Sequence, residues 1–150
     1  MNGIFAAFRV TASALTAQRL RMDIISNNVA NAETTRTEEG GPYQREQVVF
    51  VADQAETRFT LPENLPLKRE IEPGQGVYVS EILADDTPGR QVYDPTHPDA
   101  DEDGFVAYPN VNVVTEMTDM LSATRSYEAN VTVFNSLKNM ALKALEIGRG

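Results

Sequence analysis

Several residues in this chain have types and spacings that chemistry uses. Asp99, Asp101 and Asp103 alternate, Gly104 follows, and Val106 stands two residues on. This is the first half of a calcium loop, in which alternating carboxylates ligate a hard cation and the glycine makes the sharp turn. The pattern fails at the twelfth position, where Asn110 replaces the bidentate Glu. Pro95 and Pro98 before the loop and Pro109 within it also deny it flanking helices. A solvated acidic turn is the better reading. His97 is the only histidine and the chain has no cysteine, so neither a His-rich nor a thiolate metal site can form. Ser80, His97 and Asp94 contain the residue types of a hydrolytic triad, but the nucleophile elbow and the glycine-rich oxyanion turn are missing. No glycine loop of the phosphate-cradling kind occurs. The expectation is a protein that is not an enzyme, with no catalytic residue, metal or cofactor.

The remaining cluster is made of amides. The stretch Ser26-Asn27-Asn28-Val29-Ala30-Asn31-Ala32-Glu33-Thr34-Thr35 places three Asn in five residues. Asn is a poor helix former and tolerates the left-handed state that stops a helix. Its amide also donates and accepts at once, so it can tie backbone groups of a neighbouring helix or subunit. One reading is a plain helix terminator. The other makes Asn28 and Asn31 inter-helix or inter-subunit hydrogen-bonding positions, since three Asn exceed what a helix end needs.

The elements that position this cluster follow from periodicity. Phe8, Leu15, Met22 and Val29 recur every seven residues, with Ile4, Thr11, Gln18 and Ile25 on the companion row. That pattern predicts a helix over 3–30 with an a/d-like stripe, roughly 40 Å long. No proline precedes Pro42, and five alanines between Ala6 and Ala17 favour helix. A second helix is expected over 112–147, capped by Asn110 or Asn112 after Pro109. Its stripe runs through Val113, Met117, Met120, Tyr127, Val131 and Phe134, then drifts to Leu137, Met140, Ala141, Ala144, Leu145 and Ile147. Lys143 and Arg149 suit the negative end of its dipole. All eight prolines lie from Pro42 to Pro109. Tyr43–Val51 and Gly76–Leu83 read as strands, with Arg90–Tyr93 and Phe105–Tyr108 as shorter candidates. The expected fold is mainly α with a small β-rich insert. Residues 1–35 and 111–150 are the terminal helical segments, expected to pair as an antiparallel coiled coil, and 36–110 form a β-rich or irregular middle. Two helices bury one seam against each other, yet the C-terminal stripe covers more than one side, so the surplus points to other subunits.

Charge narrows the classes further. The chain has 150 residues and a net charge of -9. The middle, 32–111, holds 17 acids against 6 bases, which repels nucleic acid and anionic lipid surfaces at long range. Arg45, Arg58, Lys68 and Arg69 are scattered and form no nucleic-acid patch. The opening MNGIFAAFRV has no basic region followed by a long apolar run, so no secretory signal and no membrane span are read.

The motif Asn27-Asn28-x-Ala30-Asn31, followed by Thr34, resembles the one after the N-terminal helix of flagellar rod, hook and hook-associated proteins, although Arg36 stands where a Gly is usual. The stretches Gly76–Val79, Val92–Asp101, Gly104–Val106 and Tyr108–Asn112 resemble the C-type proximal rod proteins, as do Arg125–Asn130 and Ala144–Gly148. The resemblance covers 1–50 and 76–150, and nothing in 52–75 carries it. It implies a structural subunit of the basal-body rod, in the periplasmic part of the drive shaft, polymerising through its terminal helices. Subunit packing is then expected at Phe8, Leu15, Met22, Ile25, Val29, Met117, Met120, Tyr127, Val131 and Phe134. Expected partners are copies of itself, other proximal and distal rod subunits, and the flagellar type III export apparatus, which exports without a cleaved signal peptide. The alternatives are another flagellar axial protein, or a coiled-coil adaptor or chaperone that binds one partner.

Overall fold

Alanine-rich sequence without proline carries the first segment into a 29-residue helix, α1 (Asn2–Ala30). The structure, a computed structural model, describes residues 2–53 and 76–148. Strands β1 (Glu46–Asp53) and β2 (Gly76–Ala84) follow, then β3 (Gln91–Tyr93) and β4 (Phe105–Ala107), and finally a 35-residue helix, α2 (Val113–Ile147). Thr11, Ser13 and Thr16 stay compatible with α1 by turning their hydroxyls back onto the carbonyls of Ala7, Val10 and Ala12.

The two helices lie side by side. The ring of Phe8 meets that of Phe134 edge to face at 5.1 Å. Further along, Thr124 donates to the Met22 sulfur at 3.6 Å, Arg21 faces Asp119 at 3.5 Å, and Asn28 bonds Glu116 at 3.0 Å. These contacts climb α1 as they descend α2. The α2 residues turned inward are Glu116, Met120, Ala123, Tyr127, Asn130, Phe134, Leu137 and Ala141, all buried or half-buried and spaced alternately four and three apart.

Helix α1 also carries the β1–β2 pair, both strands of which pack against it. The pair is antiparallel, with Glu46 opposite Ala84 and Asp53 opposite Gly76. A bulge at Ser80 shifts the register between Val49 and Phe50. Ser13 accepts a hydrogen bond from the Val77 amide at 3.1 Å, and a Cβ on Gly76 would collide with the Ser13 hydroxyl, so glycine lets the strand approach the helix. β3 and β4 form a separate small pair. It is tied to the start of α2 where the backbone of 108–110 passes directly over Gly89, leaving no room for a side chain.

Three expectations change or narrow. Helix α1 does not end on a left-handed Asn, because no described non-glycine residue has a positive φ. Asn112, not Asn110, caps α2, accepting from the amides of Val114 and Thr115 at 3.0 and 3.3 Å. The last turn of α2 contains no base: Lys143 falls before it and Arg149 lies outside the described residues. The stretch 54–75, for which the sequence offers no resemblance, is also outside them.

Candidate functional site: a polar junction between the helices

Where α1 ends and α2 begins, the interior is polar. Asn28 and Glu116 are each only 1% exposed. The Asn28 amide makes four hydrogen bonds and so uses its whole capacity. Its Nδ2 donates to the Glu46 carbonyl at 2.8 Å and to Glu116 Oε2 at 3.0 Å. Its Oδ1 accepts from the Glu46 amide at 3.0 Å and from the Tyr43 hydroxyl at 2.9 Å. The side chain therefore pairs with Glu46 in both directions, as a neighbouring strand would.

Asn110 bridges the two residues that flank the ladder, Arg45 before β1 and Asp85 after β2. Its Oδ1 accepts from the Arg45 amide at 3.2 Å, and its Nδ2 donates to the Asp85 carbonyl at 3.2 Å. Two amides, one from α1 and one from the approach to α2, thus close the end of the β1–β2 ladder.

The charge of Glu116 is answered by Arg45, whose Nε donates to Oε1 at 2.6 Å. Arg45 and Arg21 also both approach Asp119, at 4.0 and 3.5 Å. Burial first, and then the nearby carboxylates of Glu46 and Glu116, push the Tyr43 hydroxyl above the usual tyrosine range. A buried carboxylate with a guanidinium on one oxygen and an amide on the other is a structural anchor between the two helices and the strand.

The other Asn residues act locally. The Asn31 side chain donates to the Asn27 carbonyl at 3.0 Å and accepts from the Thr34 hydroxyl at 3.2 Å. Within the chain, the Asn31 amide closes the turn after α1. Ala30 and Asn27 are exposed. Thr34 lends its carbonyl to the Tyr43 amide at 3.0 Å, which leads the chain back toward Asn28.

The expected packing residues divide into two groups. Phe8, Leu15, Met22, Ile25 and Val29 of α1 are buried or half-buried, as are Met120, Tyr127, Val131 and Phe134 of α2. Met117 faces outward beside Val114 and Leu121, and Glu116 takes the inward position next to it. Gln18, on the inward row of α1, buries its Oε1 without a hydrogen-bond partner among the described residues.

The acidic turn spends its carboxylates on local backbone amides and on nearby side chains. Asp101 accepts from the amides of Asp103 and Phe105 at 3.0 and 2.7 Å. Asp94 accepts from the Thr96 hydroxyl and amide, which hold it below the usual carboxylate range. Asp99 accepts from Thr35 at 2.8 Å and faces Arg36 at 3.5 Å. Of the triad candidates, Ser80 is the bulge of β2, and the His97 ring accepts from the Asp99 amide.

Reading from apolar periodicity missed Tyr43, Arg45, Asn110 and Glu116, because their signal is pairing across long separations. It also missed Ile24 and Ala17, buried off the a/d row.

Comparison with known proteins agrees with this layout. Residues 8–36 match the family model described as flagella basal body rod protein, and residues 102–147 match the model described as flagellar basal body rod FlgEFG protein C-terminal. The chain is 47% identical over 152 residues to the flagellar basal-body rod protein FlgC of Borreliella burgdorferi, covering 99% of each chain. It is 48% identical to FlgC of Bacillus subtilis, covering 97% of this chain and 98% of the relative. It is 39% identical to FlgC of Salmonella typhimurium, covering 95% and 96%. The two family models fall on the two ends that the junction joins, and the similarity spans the whole length: the chain belongs to the FlgC family of flagellar basal-body rod proteins, structural subunits of the rod and not enzymes.

Proposed function

We propose that the helix pair is an antiparallel coiled coil that polymerises into the proximal part of the rod, with its outer apolar faces covered by neighbouring subunits. Phe8, Leu15, Met22, Ile25 and Val29 face Met120, Tyr127 and Phe134 in the seam within one chain. Met117 and Val131 contribute to contacts between chains. The observation that carries this reading is the length of uncovered apolar surface on α2. Val114, Met117 and Leu121 form one exposed row, and Val133, Met140, Leu142, Leu145 and Ile147 are exposed further along the helix, on more than one side. Apolar surface of that extent marks an interface.

The neighbours on this reading are copies of the chain and other proximal and distal rod subunits, within the periplasm. The export route is the flagellar type III apparatus, without cleavage of a signal peptide. Asn27, Asn28, Ala30, Asn31 and Thr34 act as the motif that fixes the end of α1 against the insert, so the helix pair enters the rod at a set angle.

Replacing Met117 and Leu121 by Asp tests the reading. Both side chains are exposed in the single chain, so folding should persist by circular dichroism while basal bodies fail to form. Normal rods built from this variant at matched expression would refute it.

A further inference from the structure

Along the N-terminal half of α1 runs a groove of about 680 Å³. Ala6, Val10 and Ala14 form its floor, Val77 of β2 one wall, and Val133 and Leu137 of α2 the other. Small residues on the floor allow a helix to come close, but alone they do not say what comes.

Two further features do. The helix that walls the groove continues beyond it, and its last turns carry Leu142, Leu145 and Ile147, with Ile147 82% exposed. A continuous helix cannot fold back against its own wall, so this segment cannot fill the groove of its own chain; a second copy can supply it. The second feature is charge. Arg9 is the only charged residue from Met1 to Gln18, it is exposed, and it adjoins Val10 of the floor. The last turn of α2 holds Glu146 and no base, at the negative end of the helix. Among the described residues neither Arg9 nor Glu146 makes an ion pair within the chain.

We propose that the last turns of α2 from a second copy seat in this groove, with Leu142 and Leu145 over Ala6, Val10 and Ala14, and Glu146 against Arg9. The inference rests on the rod-subunit reading and makes it specific. Groove and helix end are unlike patches, so each bound copy still offers a free one of the other kind, and the contact can repeat.

The absence of cysteine makes a cross-linking test clean. Full-length Ala6→Cys and Leu145→Cys variants are mixed, polymerised and oxidised, with Val10→Cys and Leu142→Cys as a second pair should either of the first misfold. The expected result is a disulfide dimer joining the two variants and absent from either variant alone. Adding Arg9→Glu abolishes it, and Glu146→Arg in the partner restores it. Polymers that form without the bridge overturn the proposal and leave the rod reading standing. So does a bridge, in isolated basal bodies, from Ala6→Cys to a different rod component. A wild-type chain that neither polymerises nor enters basal bodies refutes both.

Discussion

Replacing Asn28 by Ala removes four hydrogen bonds at one point. The Tyr43 hydroxyl is half-buried and can turn toward solvent. The Glu46 amide, the Glu46 carbonyl and one oxygen of Glu116 have no such escape, although Arg45 still holds the other oxygen of Glu116. At roughly 1–3 kcal/mol for each buried group left without a partner, and with solvent reaching part of the cavity, the expected loss is about 3–5 kcal/mol. That is a large share of the ~5–15 kcal/mol that holds a typical domain together. Asn28→Asp sharpens the test. It keeps the size and the oxygen that accepts from Tyr43 and the Glu46 amide, but turns the donor toward Glu116 into a second carboxylate. The like charge raises the pKa of the pair in the folded state, so the fold binds a proton more tightly than the unfolded chain. Stability of this variant therefore rises as pH falls and is lost as pH rises. Urea unfolding of the full chain, followed by circular dichroism at pH 5 and pH 7, measures both effects. A loss under about 1 kcal/mol for Asn28→Ala, or an Asn28→Asp variant that does not recover at pH 5, would refute the account of the junction.

Asn31→Ala should cost much less than Asn28→Ala, because its bonds are local and largely exposed; matching basal-body yields for the two would contradict this. Leu15→Asp or Phe134→Asp should stop assembly and swimming by placing a charge on the helix seam, at several kcal/mol unless it is neutralised, and soft-agar motility at normal protein level would count against it. Amide exchange in dilute monomer should be slowest near Ile24, Ile25 and Ala123 and fastest over the first turns of α1 and past Phe134, since the buried residues gather at the junction; uniform protection along both helices would be the wrong pattern. The raised Tyr43 pKa means the fold favours the protonated phenol, so stability is full below about pH 10 and falls as pH rises past it, a limb that Tyr43→Phe should lack. Asp101→Ala should loosen the β3–β4 turn without abolishing assembly, and micromolar calcium binding lost in this variant would overturn the reading of Asp99, Asp101 and Asp103 as turn residues.

Both helices and all four strands were legible from local pattern, because each depends on its own residues: the seven-residue recurrence from Phe8 to Val29, the proline limits at Pro42 and Pro109, and the Val- and Tyr-rich runs. The turn chemistry of the acidic loop was legible for the same reason. Periodicity failed at Met117. An apolar residue there continues the stripe, but the helix presents Glu116 inward because Arg45 and Asn28 wait on the other side. No local rule announces a buried Glu whose partners lie 71 and 88 residues away. Asn28 was singled out as an amide that could bond another helix or subunit; one of its four bonds reaches α2, and two go to the backbone of a strand.

Those long separations also bear on when the chain can fold. Closing a loop of 88 residues costs about 4 kcal/mol of chain entropy before any contact repays it. The Phe8–Phe134 contact spans more of the chain still. The first 53 residues can form helix and one strand, but the strand's ladder end stays open until Asn110 arrives, and Arg45 lacks its anion until Glu116 does. A chain threaded head-first through a narrow conduit, as on the export route proposed above, therefore remains slack for most of its passage. It locks only when both ends are on the same side, so delivery and folding are separated in time by topology alone.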